Sequence, residues 1–188
     1  MNKKIVLFLI GILALATFVS AASVTLYPNG PGYYNQWTWS NTTGCEFGET
    51  HWGCVDETTQ DGDSTYLRAN SGVPKDTFAM TDMTATPSSI KRVAVYYTAK
   101  AIKLGGYLYP ILRDGNLTTE YIDTSGWDVS NNSSWTVFSK VYSTNPMTNS
   151  SWTKDEVNAL QVGMQCIPDF SYYQGCLVTQ VRTQVIYS

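Results

Sequence analysis

Charged side chains are scarce in this chain of 188 residues: Asp, Glu, Lys and Arg together make up 14% of it, and histidine occurs once, at His51. A basic nucleic-acid-binding face needs clustered Lys and Arg, whereas here 12 basic residues stand against 15 acidic ones for a net charge of −3. Helical bundles draw on Ala, Glu, Lys and Leu. This chain is instead rich in Thr, Ser, Asn, Gly and Tyr, the usage of a β protein whose surface is solvated by hydroxyls and amides. It has no Gly-x-Ser-x-Gly segment, the strained elbow that exposes a nucleophilic serine. No strand-like stretch alternates acidic residues, so the paired carboxylates of glycoside hydrolysis are missing. Cys-x-x-Cys spacing is absent too, which argues against zinc. His51 lies between Cys45 and Cys54 with no nucleophile beside it and reads as a loop residue. These absences point to a protein that is not an enzyme.

What is present begins with Met1–Ala21. Lys3 and Lys4 precede an apolar run from Ile5 to Phe18, and Val19-Ser20-Ala21 supplies small residues, the three parts of a cleavable secretory signal. A retained anchor would need about 20 apolar residues, and a pilin would need a longer helix. The expectation is an exported protein, secreted or held at a cell surface, with residues 22–188 forming one domain and membrane contact only through an uncleaved signal. Cleavage removes Lys3 and Lys4 and takes the charge from −3 to −5.

An even set of four cysteines in an exported chain predicts two disulfides. The local pairs Cys45–Cys54 and Cys166–Cys176 are favoured, each closing a short loop worth about 2–3 kcal/mol; spacing leaves the crossed pairing open. Five sequons, at Asn41, Asn116, Asn131, Asn132 and Asn149, predict a glycosylated surface.

Period-two alternation recurs along the chain and marks half-buried strands. Val93, Val95, Tyr97, Ala99 and Ala101 share one face, as do Val181, Thr183, Val185 and Tyr187. Further strands are read at 23–27, 34–39, 65–69, 77–80, 107–112, 118–122, 135–142 and 162–166. Turn chemistry separates them at Pro28-Asn29-Gly30, Asp61-Gly62, Gly105-Gly106 and Asp114-Gly115-Asn116. Thr153 followed by Glu156 is a capping box, and Trp152 with Val157 a hydrophobic staple, for one short helix ending near Leu160. The fold class is therefore all-β: a single jelly-roll-type β-sandwich with one short helix, preceded by the signal helix.

Asp56, Glu57, Asp61 and Asp63 are the residues that could hold calcium, the one cofactor considered, because Asp61-Gly62-Asp63 offers hard oxygens across a turn. A solvated turn is the plainer reading. Among the aromatics, Trp37 and Trp39 on one strand and Trp135 on another fit inter-sheet packing. Trp127, after Ser125-Gly126, and Tyr172 and Tyr173, between Cys166 and Cys176, are the ligand candidates, since a ring face packs on the apolar face of a sugar.

The segments Val24-x-Leu26-x-Pro28-Asn29-Gly30, Gln36-Trp37-Thr38, Cys54-Val55-Asp56-Glu57, Asp61-Gly62-Asp63, Trp152-Thr153, Val157-x-x-Leu160-x-x-Gly163 and Val178-Thr179-Gln180-Val181 resemble a jelly-roll module of secreted bacterial and archaeal surface proteins and viral fibre proteins, over almost all of the mature length. The resemblance implies a non-catalytic module presented on a surface. A single copy ending in its last strand at Ser188 implies free action or self-assembly. In filaments of this architecture an N-terminal strand completes the next subunit's sheet, and Ser23, Val24, Thr25, Leu26 and Tyr27 are the donor candidates. The first functional expectation is a structural subunit of an extracellular filament or surface layer, partnered with itself. A secreted carbohydrate-binding module, with a surface glycan as partner, is the alternative, and a viral receptor-binding fibre protein the second alternative. No nucleic-acid partner is expected.

Overall fold

The computed structural model describes residues 21–39, 45, 51–69, 72–102, 106–115, 119–168 and 175–188. Residues 1–20 of the segment read as a signal, Asn41, Asn116, Tyr172 and Tyr173 lie outside the described residues. Among the described residues the strands are β1 (Ala22–Leu26), β2 (Pro28–Asn35), β3 (Thr38–Trp39), β4 (Leu67–Ala69), β5 (Lys75–Met80), β6 (Ile90–Ile102), β7 (Gly106–Arg113), β8 (Glu120–Ile122), β9 (Trp127–Asp128), β10 (Thr136–Tyr142), β11 (Gln161–Pro168) and β12 (Gly175–Tyr187). The helix α1 (Lys154–Asn158) has the expected capping box, with the Thr153 side chain accepting from Glu156 N and the Glu156 carboxylate accepting from Thr153 N.

All ladders are antiparallel, and they build an all-β sandwich of two sheets. The first sheet runs β10-β6-β12-β4-β3, with β1 also on β12; the second runs β2-β5-β11-β7-β8, with β9 also on β7. The chain crosses between sheets at β4 to β5 to β6 to β7, and again at β10 to β11 to β12, which gives the jelly-roll order. Alternation dictates the core. Val93, Val95, Tyr97 and Ala99 of β6 and Val181 and Val185 of β12 are buried against Phe78, Leu108, Leu112, Val162 and Met164 of the opposite sheet. The Tyr97 hydroxyl donates to Gly163 O at 2.7 Å, an inter-sheet bond that burial favours by pushing the phenol pKa upward and so keeping the proton in place.

Cys45 pairs with Cys54, and Cys166 with Cys176. The second disulfide joins β11 of one sheet to β12 of the other, so it ties the sandwich across its core. The strand expected at 34–39 is broken at Gln36 and Trp37, where Asp76 Oδ1 accepts from both amides, at 2.5 and 3.1 Å; Gln36 N also donates to Lys75 O at 3.1 Å, and Trp37 N leaves the ladder. Trp37 therefore lies between β2 and β3, off the single strand expected to carry it with Trp39, and is buried. Pro28-Asn29-Gly30 is part of β2 rather than a turn; a register shift between Pro28 and Gly30 absorbs its irregularity. Trp127 is on a strand, β9, not in a loop. Strand β1 pairs with β12 of its own chain, from Ala22↔Tyr187 to Leu26↔Thr183. Among the described residues no helix is long and apolar enough to cross a membrane.

Candidate functional site

The outer face of the second sheet gathers aromatic and charged side chains from four separate segments. Strand β7 alternates: Leu108 and Leu112 join the core, while Tyr107, Tyr109, Ile111 and Arg113 point the other way. Ile111 is fully buried without belonging to the inter-sheet core, so this outer face has a cover of its own. Part of that cover is Tyr33 and Tyr34. Their amides donate to side chains, Tyr33 N to Gln161 Oε1 at 2.9 Å and Tyr34 N to Thr77 Oγ1 at 3.0 Å, which fixes where both rings start. Gly32 makes the approach feasible, since a Cβ there would stand 2.2 Å from Thr77 O.

From β2 the two rings reach over the middle of the sheet. Arg113 lies 4.0 Å over the Tyr33 ring and 5.7 Å over that of Tyr34, and Lys75 is 4.8 Å from the Tyr34 ring, all within cation–π range. Glu120 on β8 accepts from Lys75 Nζ at 2.8 Å and faces Arg113 Nη1 at 3.5 Å. Partial burial raises the Tyr34 phenol pKa, and the Glu120 carboxylate that its hydroxyl bonds raises it further. A side chain from one outer strand thus meets one from the other above the three strands between them, and the face must curl inward. Tyr33 remains 55% exposed. One side of its ring rests on a guanidinium and the other meets solvent. At the far end of β7, Tyr107 is 45% exposed and stacks on Tyr109, with centroids 6.4 Å apart and planes at 28°. Arg113 is six residue steps along the strand from Tyr107, about 20 Å, so exposed tyrosines bracket a long, curled face.

Of the site residues expected from sequence, the described ones sit as follows. Trp127 packs on Tyr97 and Phe138, with centroids at 5.6 and 5.5 Å, which uses its ring to plug the sandwich edge. Asn131 and Asn149 are exposed, Asn149 at φ 58°, a left-handed turn that Asn tolerates. Asn132 is half-buried, its carbonyl accepting from Ala101 N at 2.8 Å. His51 is not a solvated loop residue: it is 5% exposed, and its Nδ1 donates to Asp76 Oδ2 at 2.5 Å. The cavity beside it, lined by Gly32, Tyr34, His51 and Thr77, holds about 10 Å³, room for one water and not for a substrate. A wider groove of about 360 Å³ lies between Asp114, Asn145 and Glu156.

The acidic stretch divides. Asp63 pairs with Lys100, and burial raises the Asp56 carboxyl pKa. Glu57 and Asp61 converge on the Thr65 hydroxyl, at 2.5 and 2.8 Å, and Thr179 donates beside them, within 3.0 Å of Asp61 and 2.8 Å of Thr65 O. Among the described residues no group of three or more His, Cys, Asp or Glu is arranged to hold a metal ion. Two hydroxyl protons face four acceptors, and a third proton on Glu57 relieves the shortage. Burial pushes the Glu57 carboxyl up to about 7, against the smaller lowering effect of the Thr65 bond. The folded state holds this proton more tightly than the unfolded chain. Its contribution is complete below about pH 4.5 and is lost as pH rises through 7. With partial solvent exposure discounted, chemical denaturation is expected to show about 1–2 kcal/mol lost over that window. Glu57→Gln should flatten the profile. A melting temperature raised by calcium at pH 8 would assign the loop to a cation instead.

No family model matches this chain, and no curated protein matches it in sequence. Seven chains of solved structures match in fold. One is the C-terminal CBM6 of LamC, a marine laminarinase from Zobellia galactanivorans, at 14% identity and a TM-score of 0.43 over 86% of this chain and 98% of that one. Another is the CBM22-1 xylan-binding domain of Xyn10C from Paenibacillus barcinonensis, at 11% identity and a TM-score of 0.43 over 90% of this chain and 99% of that one.

Proposed function

We propose that this protein is a non-catalytic, exported glycan-binding β-sandwich, and that it binds through the outer face of its second sheet. One observation carries the reading: Tyr33 offers a solvent-exposed ring whose other side is held 4.0 Å from Arg113. A tyrosine fixed on a charged base keeps its orientation without a ligand, so stacking a sugar ring on it costs little side-chain entropy. Gln161 and Gln165 of β11 flank the platform on the same face, and primary amides match the paired donor and acceptor character of sugar hydroxyls. The surface is a shallow curl rather than a deep pocket, which suits an extended oligosaccharide.

This reading ranks ahead of a filament subunit, because β1, the strand expected to be donated, is already laddered to β12 within its own chain. It also moves the ligand platform from Trp127 to Tyr33 and Tyr107. Glycan-array screening followed by titration calorimetry tests it. Tyr33→Ala is expected to weaken the best ligand about tenfold or more while leaving the melting temperature within a few degrees. Undiminished binding by that variant would remove this face from consideration.

A further inference from the structure

We infer that the sugars taken by this face carry an anionic substituent, a ring carboxylate or a sulfate; this rests on the glycan-binding reading above and adds the ligand's charge to it. Lys75 and Arg113 share one carboxylate. Glu120 Oε1 takes Lys75 Nζ at 2.8 Å and Oε2 faces Arg113 Nη1 at 3.5 Å. The carboxylate that pairs with Lys75 is therefore divided between two cations. Lys75 is the more accessible of the two. Arg113 has only 8% of its side chain exposed, under Tyr33, whereas Lys75 keeps 20%. An ammonium has three N–H donors, of which Glu120 takes one.

Geometry couples this charge to the aromatic platform. Tyr34 stands between the two, its ring 4.9 Å from that of Tyr33 and 4.8 Å from Lys75 Nζ, so a pyranose stacked on Tyr33 has its substituents within reach of the ammonium. Gln165, opposite Lys75 in the β5–β11 ladder, adds amide donors beside it. Glu120 is the one acidic side chain among the described outward-facing residues of β5, β11, β7 and β8. It occupies the position that a ligand anion would take, and an arriving anion competes with it for Lys75.

That competition fixes the test. Calorimetric titration of the whole mature chain would compare a panel of oligouronates with their methyl esters, which keep the sugar rings and lose the charge, and with sulfated neutral oligosaccharides. The acid or the sulfated form is expected to bind at least tenfold tighter than its uncharged counterpart at low ionic strength, with the gap narrowing as salt screens it. Lys75→Met should erase the gap, and Glu120→Gln, by removing the internal competitor, should widen it. Opposite shifts from two neighbouring substitutions cannot both come from damaged folding. A uronate-only or a sulfate-only gap would each support the inference and identify the anion. Equal affinity for charged and uncharged forms would overturn it and leave the glycan-binding reading standing. Absence of binding to every neutral and anionic glycan would sink that reading as well.

Discussion

Replacing Asp76 with alanine is expected to lower the stability of the sandwich by about 3–5 kcal/mol, as breaking a buried hydrogen-bond network does. For a domain of this size that corresponds to a fall in melting temperature of roughly 10 °C or more. Asp76 is fully buried and accepts three hydrogen bonds, from Gln36 N at 2.5 Å, Trp37 N at 3.1 Å and His51 Nδ1 at 2.5 Å. Truncation would take the Asp76 acceptor from Trp37 N and His51 Nδ1 in the interior, while Gln36 N keeps Lys75 O. The damage should not stop at stability. Gln36 and Trp37 directly follow Tyr33, Tyr34 and Asn35, so Asp76 anchors the segment that presents the aromatic platform, while His51 brings in the turn closed by Cys45 and Cys54. Asp76→Asn separates the two roles, because an amide oxygen still accepts from Gln36 and Trp37 while the amide nitrogen can no longer accept from His51. Thermal unfolding should place Asp76→Asn between wild type and Asp76→Ala. An Asp76→Ala protein that melts within 2–3 °C of wild type would show that the carboxylate is not the anchor described.

How much of this was legible beforehand depended on whether the signal was local. The alternation in β6 and β12 was, since each inward side chain follows its neighbour at a spacing of two, and so was the Thr153–Glu156 capping box. Asp76 and His51 were not. An acid on the inward side of a strand contradicts alternation, and a histidine between two cysteines looks like loop until the strand that receives it is in place. The platform was hidden for a related reason: Tyr33, Lys75, Arg113, Glu120 and Gln161 come from four stretches far apart in the chain and meet only when the second sheet curls. Two faint marks existed. Arg113 directly follows the uncharged stretch Tyr107-Leu108-Tyr109-Pro110-Ile111-Leu112, and Tyr33-Tyr34 follows Gly30-Pro31-Gly32, where missing side chains let a strand ride close over its neighbour. Trp127, a ligand candidate from sequence, packs on Tyr97 and Phe138: a large ring near a sandwich edge gains by filling such a gap. Tyr172 and Tyr173, the other two candidates, lie outside the described residues.

Gly163→Ala should be the most damaging glycine-to-alanine change among the described residues. Gly163 lies mid-strand on β11 with β5 on one side and β7 on the other, opposite Thr77 and Ile111. A Cβ there would stand 1.9 Å from Asp76 O and 2.7 Å from Thr77 Cα. Those are backbone atoms of a paired strand, so no side-chain rotation relieves the clash, and β5 would have to move away from β11. That shift would also disturb the Tyr97 hydroxyl bond to Gly163 O and the Asp76 anchor. Overpacking of a well-filled interior costs about 1–3 kcal/mol where side chains can adjust; here, with backbone on the other side, a loss of about 4 kcal/mol or more is expected. Thr77, on β5, accepts from Tyr34 N of β2, so any Gly163→Ala protein that still folds should have a displaced platform and weakened glycan affinity. Val162→Ala, one residue away and facing the core, serves as the comparison. It should lower stability by leaving a cavity while leaving affinity near wild type. Equal affinity losses in the two variants would mean that binding follows overall stability, and the geometry at Gly163 would then have no special role in shaping the face.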